Sequence, residues 1–422
     1  MKHTDPYITA VDVVRKLRDA GFQALWAGGC VRDLLLHKEP KDFDVATNAL
    51  PEEVRTLFGK KRTLAVGASF GVIIVRGHRP DCDVEVATFR SEGPYLDGRR
   101  PEHVKFTTAE EDAQRRDFTI NGMFYDPIND AIFDYVGGKA DLNQHVIRAI
   151  GNPLARMQED KLRLLRAIRF AATLHFQLEE ATRQAVQSMA DQINVVSPER
   201  IADELRKMLI HPTRGQAIEL VQQTGLLKQV LPELAPLWEA SEYNHLWLQT
   251  LDRLKLVSTH SFETAFATLL LDLPAAGPAE RLEEIFEICK RLRFSNHSLN
   301  LVHWLVQQRN SLEQASVMKL SRLKRLLASE DCPHLFELIA ADLSSRKLPL
   351  DDLEFCRQYR DHTPREVLNP PPLISGNDLI DLGIKSGPQF KKLLTQIQDA
   401  QLEEQIETRQ EAFVLLSQIL QK

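Results

Sequence analysis

Two carboxylates separated by one residue, Asp42-Phe43-Asp44, are the part of the chain best suited to chemistry. On an extended segment, residues i and i+2 point the same way, so both would offer hard oxygen ligands to one or two Mg2+ ions. Paired ions of this kind orient a triphosphate, activate an attacking hydroxyl and neutralise departing pyrophosphate. Upstream, Gly28-Gly29 follows the apolar run 24–27 and precedes Val-Arg-Asp-Leu-Leu-Leu, which reads as a helix. Two glycines let backbone N–H groups approach a ligand, and a helix start beside them can receive phosphate, with Arg32 adding a guanidinium. A lone Gly-Gly is usually an ordinary turn and a lone D-x-D often a solvated strand end; their coupling is what points to a nucleotide. Glu85 stands in the alternating run 83–89, on the face opposite Val84 and Val86. An acidic residue there wants a partner, which makes it the candidate third carboxylate, with Asp83 competing on the same face.

Arg115-Arg116-Asp117-Phe118-Thr119-Ile120-Asn121 is the next dense cluster. Its arginine forks match triphosphate oxygens, Asn121 can read a ribose hydroxyl, and Asp117 is the expected orienter of the arginines. A further cluster, Glu159-Asp160-Lys161-Leu162-Arg163, continues to Arg166 and Arg169 and is expected on a helix. Asp160 and Arg163 then fall on one face, with Arg166 and Arg169 nearly in line. The plain reading is an intrahelical salt bridge. The sharper one is an acceptor and a donor that pair with the Watson–Crick edge of an incoming base, the protein replacing a nucleic-acid template.

The elements that must position these residues change character along the chain. Up to about residue 150, short β-like runs alternate with turns: a helix is expected over 9–20, a hairpin from 64–66 and 72–75, and a helix from Pro51. Beyond that the pattern is helical, with Ser197-Pro198-Glu199 as one expected helix start and a proline-rich stretch, 362–378, as a linker. The 422 residues carry a formal charge of −6, which excludes attachment to nucleic acid by bulk positive charge but leaves room for a local basic channel. Five widely spaced cysteines without a C-x-x-C pair suit a reducing cytoplasm. No apolar window long enough for a signal or a span occurs, so a soluble, cytoplasmic, non-membrane protein is expected. Trp238, Trp247 and Trp304 read as packing residues.

These motifs in this order resemble the class II nucleotidyltransferases of the polymerase β superfamily, the CCA-adding tRNA nucleotidyltransferases and bacterial poly(A) polymerases. GGCVRDLLLHKEPKDFDVAT resembles the first family motif and RRDFTINGMFYDP the second. DYVGG (134–138), EDKLRLLRAIRF and ERIADELRKML resemble the third, fourth and fifth. His37 stands where glycine is usual. The resemblance implies an α+β chain: a nucleotidyltransferase head with a small mixed sheet (1–150), then an all-α neck (151–210), body (211–361), and linker with tail (362–422). It carries the metal and catalytic roles onto Asp42 and Asp44, with Glu85 as a further catalytic carboxylate. Nucleotide contacts fall to Gly28, Gly29, Arg32, Arg116, Asn121, Glu159, Asp160, Arg163 and Arg166, and RNA contacts to Lys385 and Gly387. The implied reaction is Mg2+-dependent transfer of CMP and AMP from CTP and ATP to a tRNA 3′-hydroxyl. KEPKDFDVATNA looks like the poly(A) polymerase version of its motif, whereas VGASFGVIIV and the tail SGNDLIDLGIKSGP look like the CCA-adding versions. Residues 89–112 match the loop that lets such enzymes switch from cytidine to adenosine. The alternatives are a poly(A) polymerase on general RNA 3′ ends, or the A-adding member of a split system. No added phosphohydrolase domain is expected, because LLLDLP (269–274) lacks the histidine of an H-D pair.

Overall fold

A computed structural model describes residues 5–67, 71–92, 104–384 and 387–421. The chain forms two compact units, Met1–Ala235 and Pro236–Lys422. The first contains strands β1 (Ala24–Ala27), β2 (Asp44–Thr47), β3 (Thr63–Gly67), β4 (Val72–Val75), β5 (Val84–Thr88), β6 (Arg90–Glu92), β7 (Val104–Phe106), β8 (Phe124–Asp126) and β9 (Ala131–Phe133). Seven of them make one sheet, ordered β3-β4-β5-β2-β1-β8-β9, while β6 and β7 pair separately. Only β2 and β5 run parallel in that sheet; the other pairs are antiparallel. The expected hairpin is β3–β4.

The helices of this unit are α1 (Asp5–Asp19), α2 (Gly29–Leu35), α3 (Pro51–Phe58), α4 (Ala109–Gln114), α5 (Gly138–Gln144), α6 (Pro153–Glu159), α7 (Leu162–Leu174), α8 (Glu180–Ser188), α9 (Pro198–Leu209), α10 (Arg214–Gln223) and α11 (Leu226–Val230). α1 buries Ala10, Val13, Val14 and Leu17, the spacing of an amphipathic face. Tyr7 from α1 meets Trp26 of β1 at 5.0 Å between ring centroids, and Phe43 meets the same indole at 4.7 Å. Phe43 is thereby buried, which turns its neighbours Asp42 and Asp44 outward. The alternation in β5 is as expected: Val84, Val86 and Thr88 are buried and Glu85 is exposed.

α7 is the centre of the helical part, burying Leu164, Leu165, Ala167 and Ile168 completely. Phe170 pins it to the Arg115–Asn121 segment through an edge contact with Phe118, 5.7 Å between centroids. Arg169 pins it to α9 through Glu204 at 2.6 Å, and Glu204 is buried. Ser197 does hold the cap position of α9, but its hydroxyl makes no cap hydrogen bond; Pro198 at the first turn starts the helix instead.

The described part of the second unit is helical. Its interior holds a charged cluster in which Arg253 pairs with Asp272 (2.6 Å) and Asp342 (2.8 Å), and Arg309 pairs with the same two aspartates (2.7 and 3.0 Å). Asp272 belongs to the LLLDLP segment and serves there as a counter-ion to Arg253 and Arg309. Trp247 is buried against Trp238. The C-terminal helices close on a core of Ile374, Leu379, Leu393, Ile397 and Leu416.

Candidate active site

Strand register assembles the acidic side of the site. Glu85 stands directly opposite Asp44 on the neighbouring parallel strand, and on the other flank Asp44 is opposite Ala27, the last residue of β1. The next residue, Gly28, has φ +76°; a Cβ there would lie 3.1 Å from Nη1 of Arg116 and 3.9 Å from Oδ2 of Asp44. Glycine therefore does two things here: it tolerates the left-handed turn and lets the guanidinium approach the carboxylate. Asp44 keeps solvent-facing surface, yet enough protein surrounds its carboxyl that burial pushes it up to about 7, with repulsion from Glu85 and Asp42 adding and Arg116 opposing. Among the described residues no group of three or more His, Cys, Asp or Glu is preassembled around a metal position. The donor set nevertheless fits a divalent cation: hard carboxylate oxygens that repel one another are relieved by positive charge between them.

Arg116 is held in place from below. Asp112, almost fully buried, accepts from Nε and Nη2 of Arg116 at 3.2 and 3.1 Å, from Nε of Arg115 at 2.8 Å, and from the backbone N–H of Arg90 at 3.1 Å. Burial alone would raise this carboxyl, but Arg116 and Arg115 outweigh it and hold it below the ordinary range. Orientation of the paired arginines was expected from Asp117; the structure gives it to Asp112, which lies one helical turn back and can reach both. Asp117 faces the other way. It receives Arg166 through Nε at 2.9 Å and through Nη2, and its Oδ1 accepts from the Asn121 side chain at 3.1 Å. Asn121 in turn accepts from Nη1 of Arg32 at 2.8 Å. Burial opposes ionisation of Asp117, but Arg166 and these hydrogen bonds bring its carboxyl down to about 2. A continuous chain, Arg32–Asn121–Asp117–Arg166, thus runs from α2 to α7. Beside it Arg32, Arg166 and Arg169 all stack on Phe170, at 5.3, 5.3 and 4.1 Å from the ring centre.

The Glu159–Arg163 cluster differs from the expected helix face. α6 ends at Glu159, Asp160 is extended (φ −139°, ψ 105°), and α7 starts only at Leu162. Asp160 and Arg163 consequently do not share a helical face. Asp160 accepts from the Leu162 N–H at 3.0 Å, capping α7, and from Arg200 of α9 at 2.8 Å. Arg163 donates to Glu159 at 2.6 Å and to the carbonyl oxygens of Arg156 (2.7 Å) and Arg115 (3.3 Å). The helix breaks because a buried Arg163 can satisfy its fork on those carbonyls only if the chain turns ahead of it.

The DYVGG turn docks on this assembly. Asp134 accepts from the N–H groups of Val136, Gly138 and Lys139 (3.2, 2.9 and 2.8 Å), capping α5, and a Cβ on Gly138 would lie 2.2 Å from the Thr119 carbonyl oxygen. His37 adopts φ +56°, the left-handed conformation that makes glycine usual there. Of loop 89–112, residues 93–103 lie outside the described residues, as does Lys385. Gly387 is extended, precedes the helix Pro388–Leu402, and has open space where a Cβ would be. All five cysteines are buried and unbonded. Among the described residues no helix is long and apolar enough to cross a membrane.

Sequence reasoning missed Asp112, Phe170, Arg200 and Glu204 as supports of the site. For Asp112 a signal existed, its i,i+3 and i,i+4 spacing to the arginines; Arg200 lies forty residues from Asp160 and leaves none.

A mixed sheet with carboxylates opposed on parallel strands, beside helices that bear arginines, marks a nucleotide-handling class, and comparison with known proteins narrows it. Residues 24–148 match the family described as Poly A polymerase head domain, and residues 175–237 the one described as probable RNA and SrmB-binding site of polymerase A. The chain is 30% identical over 417 residues to a CCA-adding enzyme of Geobacillus sp., covering 96% of this chain and 95% of that protein. It is 39% identical over 245 residues to poly(A) polymerase I of Haemophilus influenzae, covering 55% and 53%. It superposes on the Bacillus stearothermophilus CCA-adding enzyme, in a complex with CTP, with a TM-score of 0.80, 26% identity and coverage of 99% and 98%. Against several curated relatives the chain spans only a little over half of their length. The chain belongs to the family of CCA-adding enzymes and bacterial poly(A) polymerases.

Proposed function

We propose that this chain is a template-independent CCA-adding tRNA nucleotidyltransferase. The observation that carries transfer is the approach of Arg116 to Asp44 across Gly28, with Glu85 opposite: cationic and anionic groups for a triphosphate meet at one strand end. In this reading the tRNA 3′-hydroxyl attacks the α-phosphorus of CTP or ATP, the P–O bond to the β-phosphate breaks, and pyrophosphate leaves. Asp42 and Asp44 would hold Mg2+, which when bound supplies positive charge to the phosphoryl oxygens. Glu85 holds a further negative charge beside them. The turn at Gly28 and Gly29, with Arg32 and Arg116, cradles the triphosphate, and Asn121 serves the nucleotide by holding Arg32 in that cradle. Asp160 accepts from the exocyclic amino group of cytosine or adenine, and Arg163 donates to a ring nitrogen or carbonyl. Glu159 holds Arg163, and Arg166 braces Asp117. Residues 1–150 then act as head, 151–210 as neck, 211–361 as body and 362–422 as linker and tail, with Lys385 and Gly387 contacting RNA. Cytoplasm is the compartment, in keeping with unbonded buried thiols.

The near full-length similarity to a CCA-adding enzyme supports this product. The similarity to poly(A) polymerase I favours a second reading, A addition to general RNA 3′ ends. The two separate in one assay: labelled tRNA lacking CCA, tRNA ending in CC, and a generic oligoribonucleotide, each with CTP, ATP or both. Sequential C, C and A on the first RNA supports CCA addition. A single A restricted to the CC-ended RNA moves the reading to the A-adding member, and long A tracts on every RNA overturn it in favour of poly(A) synthesis.

A further inference from the structure

The Arg156 side chain has no part in the proposed reaction, yet it lies at a junction. It stands in the last turn of α6, is only 14% exposed, and reaches back to α4, 41 and 42 residues earlier. There Nη2 donates to the Gln114 carbonyl oxygen at 2.6 Å and Nη1 to that of Arg115 at 3.2 Å. Nε donates to the Ile150 carbonyl oxygen at 3.2 Å. Gln114 and Arg115 are the last residue and the cap of α4, where helical carbonyls lack partners within the helix. A guanidinium suits such an end by its charge and by its fork.

Arg163 reaches the same place. Its Nη2 donates to the Arg115 carbonyl oxygen at 3.3 Å, and its Nη1 to Oε2 of Glu159 at 2.6 Å. That same Oε2 accepts from Nη1 of Arg156 at 2.8 Å. The groups close a circuit in which both arginines share one carboxylate oxygen and one backbone carbonyl. Glu159 fixes Arg163 to α6, and Arg156 fixes α6 to the end of α4. The side chains of α4 are committed elsewhere: Asp112 holds Arg116, whose guanidinium approaches Asp44 across Gly28. One short helix thus connects the group given to the base with a group given to the triphosphate.

We propose that Arg156 is a positioning residue that sets the span between the base-binding and triphosphate-binding halves of the nucleotide site, and through that span the selectivity for cytosine and adenine. The inference rests on the reading that Arg163 pairs with the incoming base. Arg156 acts at a distance, through Arg163. Hydrogen bonding to a base edge tolerates little displacement, and a shift of about 1 Å can cost ~100-fold in rate.

The full chain is compared with Arg156→Gln, which cannot span the two carbonyls and Glu159, and with Arg156→Lys, which keeps the charge without the fork. Single-turnover incorporation is measured with CTP and UTP on tRNA lacking CCA, and with ATP and GTP on tRNA ending in CC. Inhibition by tripolyphosphate reads the phosphate half alone. For Arg156→Gln the preference for CTP over UTP and for ATP over GTP is expected to fall roughly tenfold or more in kcat/KM, with tripolyphosphate inhibition unchanged. Arg156→Lys recovers part of the selectivity. Unaltered selectivity overturns the proposal, and so does an equal loss for all the nucleotides and tripolyphosphate, the mark of a structural role alone. Should Arg156→Gln fail to fold, Arg156→Lys decides: reduced selectivity with unchanged tripolyphosphate inhibition supports the proposal, and parental selectivity overturns it. If the parent protein transfers nothing to any RNA, the transfer reading fails by itself. Equilibrium binding of the same nucleotides then still decides the span: a preference that the parent shows and the variant loses supports it, and a preference equal in both, or absent from the parent, overturns it.

Discussion

Replacing Asp117 with Asn removes the charge at the middle of the Arg32–Asn121–Asp117–Arg166 chain while keeping an acceptor oxygen and the side-chain shape. The magnitude follows from the folded carboxyl, which sits at about 2 against an ordinary 3.8. That difference corresponds to about 2–3 kcal/mol of stability at neutral pH. Breaking a wholly buried pair typically costs ~3–5 kcal/mol, but the Arg166 side chain is 31% exposed and water compensates part of it, so the lower figure applies. The sign is that of a depressed carboxyl. The contribution is complete above the ordinary value, and falls away as pH drops from about 4 towards 2 and the folded group protonates. Thermal unfolding of the full chain at pH 7, 5, 4 and 3 provides the assay, with hydrogen exchange in peptides from α7 as the local readout. At neutral pH Asp117→Asn is expected to lower the melting temperature by about 5–10 °C, at ~2–4 °C per kcal/mol for a unit of this size. The gap to the parent should narrow as the pH approaches 3. Equal stability at pH 7, or a gap that does not change with pH, refutes the reasoning.

Three further substitutions probe separate supports. Gly138→Ala places a methyl 2.2 Å from the Thr119 carbonyl, so the DYVGG turn must move, and a loss of about 2–3 kcal/mol is expected in calorimetry. Arg200→Ala removes the 2.8 Å partner of Asp160; misincorporation of UTP and GTP should rise about tenfold while stability falls by only ~1 kcal/mol, and Arg200→Lys should restore part of the selectivity. Asp112→Asn loosens Arg115 and Arg116 together and should raise KM for CTP and ATP about tenfold, as loss of a charge-assisted hydrogen bond of ~1–2 kcal/mol implies. An unchanged KM for the nucleotides would show that Arg116 is positioned by something else.

How much of this was legible in the sequence depended on the range of the interaction. The outward turn of Asp42 and Asp44 follows from strand periodicity, and burial of Phe43 against Trp26 supplies its cause. The alternation that exposes Glu85 was equally local, but its place opposite Asp44 required the parallel pairing of β2 with β5 across an intervening hairpin. Helical periodicity misplaced Asp160, because the local pattern continues smoothly through residues 159–170. What breaks the helix is distant: the Arg115 carbonyl that takes Arg163, and Arg200, which takes Asp160. Orientation of the paired arginines was expected from the adjacent Asp117, whereas the helical turn of α4 brings Asp112 under them. The glycine preference at position 37 is visible as a left-handed residue only once φ is known. Local patterns thus located the candidate site, and contacts remote in sequence decided how its side chains are held.

The claim that Asp42 and Asp44 form the transfer centre is tested most directly by a single-turnover measurement of CMP incorporation from CTP into tRNA lacking CCA, comparing the parent chain with Asp44→Ala. The account predicts a rate loss of ~1,000-fold or more, the size expected when several kcal/mol of transition-state charge stabilisation are removed, with tRNA retention on filters unchanged. A variant that still incorporates CMP within about tenfold of the parent rate would contradict it.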